Sequence, residues 1–289
     1  MNIEFINDAY TKDGLRLPMV HFESKKKDIC VIITHGMCGT ILDNYFATVW
    51  GKVLTKSNIG LIYEHNRGHS IENDLVSIDG TFKRYGCMYE IFEECLFDID
   101  LAIETAKKMG YKRIFLAGHS YGCNKTIYYY YKKKPDILGI IFASAPDMVG
   151  IHKLLQPNFR SLLEEAKINI KSGNEDKLLS TLVEDYMYMS SKTYYNWYNE
   201  LSELNNFPII ENPELWEQFS CIDVPILAFS GENEEWYYKR FDIMKEKVKN
   251  SETFFSYIIE NTGHTYKNKE LETANIIIEW IDKIKRLYD

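Results

Sequence analysis

The chain has 289 residues, 45% of them apolar, and its 34 basic and 42 acidic side chains leave a net charge of −8. That composition supports a sizeable core in one large domain, or in one domain carrying an insertion. Acids and bases are mixed along the chain, no apolar run approaches the length of a membrane span, and the opening residues lack a basic-then-apolar leader pattern. A nucleic-acid footprint and a membrane span are therefore not expected, and a cytoplasmic location is.

The front half alternates strand and helix signals, which predicts an α/β fold with a mainly parallel sheet covered on both faces. Ile3 to Ile6 and Leu15 to Phe22 read as an opening antiparallel pair turned at Lys12-Asp13-Gly14. Ile29 to Thr34 is a continuous β-branched run, the pattern of a strand buried on both sides. Tyr45 to Lys56 reads as a helix and Ile59 to Glu64 as the next strand. From Tyr89 to Met109 the apolar residues Phe92, Cys95, Leu96, Ile99, Ala102, Ile103 and Ala106 recur at helical steps, and Gly110 stops the helix. Arg113 to Ala117 is a strand, followed by a helix from Tyr121 to about Lys134 and a strand from Leu138 to Ala143.

From Asp147 to about Cys221 the alternation disappears. Tyr186, Tyr188, Tyr194, Tyr195, Trp197, Tyr198, Phe207, Trp216 and Phe219 mix there with helix-forming Leu, Glu and Lys. The segment reads as a helical insertion over the sheet, most of its aromatics forming the core of a small cap and a minority facing a cleft. Strand patterns return at Pro225 to Ser230 and Thr253 to Ile259, and Leu271 to Tyr288 closes as an amphipathic helix. The domain reading is a core of 1–146 and 221–289 with a helical cap at 147–220. The six cysteines lack C-x-x-C spacing and read as free, mostly buried thiols rather than disulfides or zinc ligands.

Gly118-His119-Ser120-Tyr121-Gly122 lies where a strand meets a helix. A serine at the tip of such a turn projects its hydroxyl clear of the backbone, and the flanking glycines leave room for the turn to pack. The hydroxyl needs a base within reach and an acid to orient that base. In a parallel sheet all strands deliver their C-terminal loops to one edge. His264 follows the last strand, and Glu234, with Glu232 and Glu235 beside it, follows the strand before.

With His35-Gly36-Met37-Cys38-Gly39 and Asn66-Arg67-Gly68-His69-Ser70 also placed after strands, the chain resembles the α/β-hydrolase superfamily of serine esterases, lipases and thioesterases. The resemblance implies the α/β-hydrolase fold, Ser120 as nucleophile, His264 as base, and Met37 and Tyr121 N–H groups as the oxyanion hole. It departs at two places. The family most often has Asp where this chain has Glu234, so Asp147, after the preceding strand, stands as the alternative acid behind Glu234. Lys125 occupies the first turn after the elbow, where small apolar residues are commoner. It is expected to point to solvent, with recognition of an acidic substrate group as the other reading.

His35 and His119 are expected to brace loops, Arg67 to sit in an ion pair, and neither His65 nor His69 to be the base. A thiol nucleophile at Cys38 or Cys123 is disfavoured because neither sits in elbow geometry. The function expected is cleavage of small-molecule carboxylic esters or thioesters with an apolar or aromatic portion, through an acyl-enzyme, with no metal or organic cofactor. An acyltransferase, a peptidase, a carbon–carbon bond hydrolase or a non-catalytic small-molecule-binding scaffold remain alternatives on the same residues.

Overall fold

The front of the chain runs β1 (Asn2–Ile6), β2 (Met19–Glu23), β3 (Ile29–Thr34), α1 (Tyr45–Leu54), β4 (Ile59–Glu64), β5 (Asn73–Val76), β6 (Phe82–Tyr85), α2 (Cys95–Lys108), β7 (Arg113–His119), α3 (Tyr121–Lys133) and β8 (Gly139–Ala143). Four helices follow, α4 (Met148–Leu155), α5 (Phe159–Lys171), α6 (Ser191–Tyr198) and α7 (Glu217–Ser220). The chain closes with β9 (Ile226–Gly231), α8 (Phe241–Lys247), β10 (Phe254–Ile259) and α9 (Glu270–Tyr288). These elements come from a computed structural model that describes residues 2–210, 215–234 and 241–288.

Eight strands form one sheet in the order β1-β2-β4-β3-β7-β8-β9-β10. The β1–β2 and β2–β4 pairs are antiparallel, and the other neighbouring pairs are parallel. Side chains alternate across a strand, so the apolar runs of β3 and β7 feed two cores. Val31, Ile33, Phe115 and Ala117 face α1 and α9, meeting Phe46, Trp50, Ile277 and Ile281. Cys30, Ile32, Ile114 and Leu116 face the other way, toward Ile99 and Ile103 of α2, Ile127 of α3 and Met244 of α8. Each fully buried aliphatic side chain contributes about 1.5–3 kcal/mol, which is why the middle of the sheet forms a rigid base for the loops at its edge.

A third core joins the helices after β8 to that edge. Met148, Val149, Leu162, Tyr194, Trp197 and Tyr198 pack with Tyr121, Tyr128, Phe92 and Cys87. Of the aromatics expected to form a cap core, Tyr194, Trp197 and Tyr198 share this third cluster, whereas Phe207, Trp216 and Phe219 belong to the core beneath the sheet. Tyr186 is 57% and Tyr188 43% exposed.

Three elements differ from the sequence expectation. The turn at 12–14 forms, with Gly14 at φ +88° and its N–H on the Thr11 carbonyl at 2.9 Å. The paired strand nevertheless starts only at Met19, because Arg16 donates its N–H to Val76 and Leu17 to Ala9 instead of to β1. The β5–β6 hairpin was not anticipated. The helix expected from Tyr89 begins at Cys95, since Glu90 is drawn into the interior by Lys125 and the Phe92 N–H donates to Asn196 Oδ1 of α6 at 2.9 Å. Among the described residues, no helix is long and apolar enough to cross a membrane.

Candidate active site

The carboxyl ends of the parallel strands release their loops along one edge. β7 ends at His119, and Ser120 follows at φ 55°, ψ −130° as the N-cap of α3. A non-glycine residue held in such a conformation costs on the order of 1–3 kcal/mol, and the surroundings enforce it. The Ser120 N–H donates to the Ala143 carbonyl of β8 at 2.9 Å, and its own carbonyl accepts the Cys123 N–H at 2.8 Å. A Cβ on Gly122 would meet the Thr34 carbonyl oxygen at 2.1 Å, and one on Gly118 would meet Cys123 Cα at 2.5 Å. Only glycine lets the turn close this tightly against β3.

The Ser120 side chain lies over the β3 loop, 2.8 Å at Cβ and 3.3 Å at Oγ from the point where a Cβ on Gly36 would sit. This puts the serine beside Gly36-Met37. Among the described residues, neither the Met37 nor the Tyr121 N–H donates to a backbone carbonyl. For Tyr121 this follows from position: it is the first helical residue of α3, whose N–H has no acceptor within the helix.

His264 and Glu234 meet, with Nδ1 and Oε2 2.7 Å apart. The imidazole is 37% exposed and the carboxylate 3% exposed. The other carboxylate oxygen of Glu234 accepts the Gly231 N–H and the Ser144 hydroxyl, both at 2.7 Å. Ser144 in turn contacts the buried Tyr266 hydroxyl. Three hydrogen bonds therefore hold the acid in one rotamer. A neutral His264 matches this arrangement with Nδ1–H donating to Glu234 and Nε2 left as a proton acceptor.

His119 ties the serine turn to the histidine loop. Its Nε2–H donates to the His264 carbonyl at 2.9 Å, and the two rings lie 4.8 Å apart between centroids. Burial, with the neighbouring His264 ring adding, pushes the His119 pKa down to about 3. It stays neutral and braces the loop. His35 does the same for the β3 loop, its Nδ1 on the Gly36 carbonyl at 2.7 Å and its Nε2 on the Asn66 N–H at 3.2 Å.

The remaining candidates are placed elsewhere. Asp147 caps α4, accepting the Gly150 N–H at 2.8 Å, and also takes the Ile210 N–H at 2.6 Å. Glu232 accepts the Asn261 N–H at 2.9 Å and steadies the loop before His264. Glu235 lies outside the described residues. His65 Nε2 accepts the Ile41 N–H, and His69 contacts Asn73. Cys123 is buried, with its Sγ on the Gly118 carbonyl at 3.1 Å and its thiol pKa raised by burial. All six cysteines are free.

Lys125 corrects the expectation of a solvent-exposed cation. Its side chain is fully buried and forms an ion pair with Glu90 at 2.6 Å and a hydrogen bond to Asn66 Oδ1 at 3.1 Å. Its ammonium also lies 4.5 Å from the Tyr121 ring centroid. An acidic substrate group has no access to it. Arg67, equally buried, forms ion pairs with Asp98, Asp13 and Glu94. These buried charges join the β4 loop to α2 and α3 beneath the site.

No family model and no curated protein sequence matches the chain. Solved structures do. Est1E from Butyrivibrio proteoclasticus, in a structure with ferulic acid bound, aligns over 98% of this chain and 99% of its own at 15% identity, TM-score 0.68. GrgF from Penicillium sp. sh18, described as an α/β hydrolase, aligns over 99% of each chain at 15% identity, TM-score 0.69. The chain has the α/β-hydrolase fold. A soluble variant of monoglyceride lipase from Saccharomyces cerevisiae, in complex with a substrate analogue, adds 98% and 96% coverage at 14% identity, TM-score 0.64.

Within this α/β-hydrolase fold, sequence reasoning missed two supports of the site. Ser144 and Tyr266 hold the acid from behind, and Lys125 with Glu90 fixes the floor. The positive φ of Ser144 has no sequence signal in a serine.

Proposed function

We propose that this chain is a serine hydrolase that cleaves carboxylic esters or thioesters through an acyl-enzyme. The observation that carries the reading is the pairing of a strained Ser120 turn with a Glu234-anchored His264 on the same sheet edge, joined through His119. Ser120 Oγ attacks the substrate carbonyl while His264 Nε2 accepts its proton. Glu234 holds the tautomer and stabilises the imidazolium. The Met37 and Tyr121 N–H groups receive the developing oxyanion, each such donor being worth about 10²–10³ in rate. Protonated His264 then gives its proton to the leaving alcohol or thiol, and the same base activates water to release the acid.

The structural neighbours support the reaction class, since they include esterases and a lipase. The segment 147–220 acts as a cap in this reading, held onto the sheet edge where its Met148, Trp197 and Tyr198 side chains pack with Tyr121 in one buried cluster. Hydrolysis of p-nitrophenyl esters of graded acyl length tests the proposal. Wild type is expected to turn over at least the short esters, and Ser120→Ala and His264→Ala to fall to the uncatalysed rate. Equal turnover by wild type and Ser120→Ala would end it.

A further inference from the structure

A cavity of about 350 Å³ opens beside Met37, with Thr40, Asp43, Asn44, Ser70 and Tyr186 on its polar side and Cys38 and Ile71 on its apolar side. Asn44 is the N-cap of α1 and only 7% exposed, yet its side chain makes no cap hydrogen bond and its Oδ1 is buried without a partner. An N-cap asparagine ordinarily spends its amide on the helix N–H groups. Here the amide lines the cavity instead, and a buried polar group left unmatched points to a partner from outside the chain. Thr40 Oγ1 bonds Asp43 Oδ2 at 2.6 Å, setting a hydroxyl and a carboxylate on the same wall. Ser70 is held at φ 64° with its N–H on the Cys38 carbonyl at 3.2 Å.

We infer that this cavity receives the alcohol half of the ester, and that this half is an uncharged polyol. The inference rests on the reading of Met37 as an oxyanion donor, which places the cavity within reach of the scissile bond. Asn44, Asp43, Ser70 and Tyr186 offer acceptors and donors suited to several hydroxyls, and Asp43 repels an anionic group. The cavity's rim is open, with Asp43 and Tyr186 exposed, which suits the product that must leave before water enters.

The test compares kcat/KM for 1-butyrylglycerol and propyl butyrate, which share an acyl group and a three-carbon alcohol and differ by two hydroxyls. Wild type is expected to favour the glycerol ester by about tenfold or more, because a site built around hydroxyls discriminates strongly against an analogue lacking them. Asn44→Leu and Thr40→Val are each expected to bring that ratio close to one. The ratio is read within one protein, so loss of folded enzyme lowers both rates alike and leaves it unchanged. A wild-type ratio near one, or a ratio unmoved in both variants, overturns the inference. So does failure to hydrolyse either ester; Ser120 labelling by a fluorophosphonate in that case leaves the serine-hydrolase reading standing, and absence of labelling removes both.

Discussion

Replacing Glu234 by Gln exchanges one oxygen of the acid for an NH₂ group at nearly constant volume. The structure decides which oxygen. Oε1 accepts two hydrogen bonds, from the Gly231 N–H and the Ser144 hydroxyl, in a buried position. An NH₂ turned that way would face the Gly231 N–H donor to donor, and leaving such a buried group unsatisfied costs about 1–3 kcal/mol. The amide therefore keeps its carbonyl toward Gly231 and presents NH₂ to His264 Nδ1. Nδ1 must then accept, which moves the ring proton to Nε2, where it blocks proton transfer from Ser120. In the serine-protease triad the same exchange lowers kcat by about 10⁴, or roughly 5 kcal/mol at 1.36 kcal/mol per decade. Steady-state hydrolysis of p-nitrophenyl acetate, with a thermal melt alongside, measures both consequences. The expected result is a loss of about 10³–10⁴ in kcat with a melting temperature within a few degrees of wild type. A folded Glu234→Gln enzyme retaining more than about a tenth of wild-type kcat would refute the tautomer argument.

The buried charges give two further expectations. Burial raises the Glu64 pKa to about 8, with the Thr34 hydrogen bond pulling it down and Asp98 adding to the rise. The stability of the neutral carboxyl is complete below the ordinary value of 4.5 and is lost as pH rises toward 8. Across that window wild type should lose about 1.4 kcal/mol per pH unit relative to Glu64→Gln, read as the difference in urea unfolding free energy. Parallel pH profiles would contradict it. Lys125→Met leaves Glu90 buried without its cation and is expected to cost about 3–5 kcal/mol in urea unfolding. Lys125→Met combined with Glu90→Leu should recover most of that loss, and a double variant as unstable as the single would show that the pair matters for packing rather than charge.

Strand and helix positions in the front half were legible because burial on both faces demands unbroken apolar runs, as in β3 and β7. The turn at Ser120 was legible for a related reason, since Gly118 and Gly122 bracket a turn that no larger residue fits. The β5–β6 hairpin was missed although Asp79-Gly80 separates its strands, with Gly80 at φ +82°. Its short, mostly exposed strands lack the apolar alternation that marks a sheet member. Lys125 was misplaced because its partner, Glu90, lies 35 residues away and outside any periodic pattern. Glu234 was ranked first as the partner of His264 while Asp147, Glu232 and Glu235 stayed open, because which carboxylate faces the ring depends on the Gly231 and Ser144 contacts. The helices between 147 and 220 were legible as a group and not one by one, since their aromatics divide between two cores.

The most direct test of the central claim is the site of covalent modification by a fluorophosphonate. Peptide mapping by mass spectrometry is expected to find a single adduct on Ser120, absent in Ser120→Ala and formed far more slowly in His264→Ala. An adduct at another residue, or undiminished labelling of Ser120→Ala, would contradict the assignment of Ser120 as an activated nucleophile.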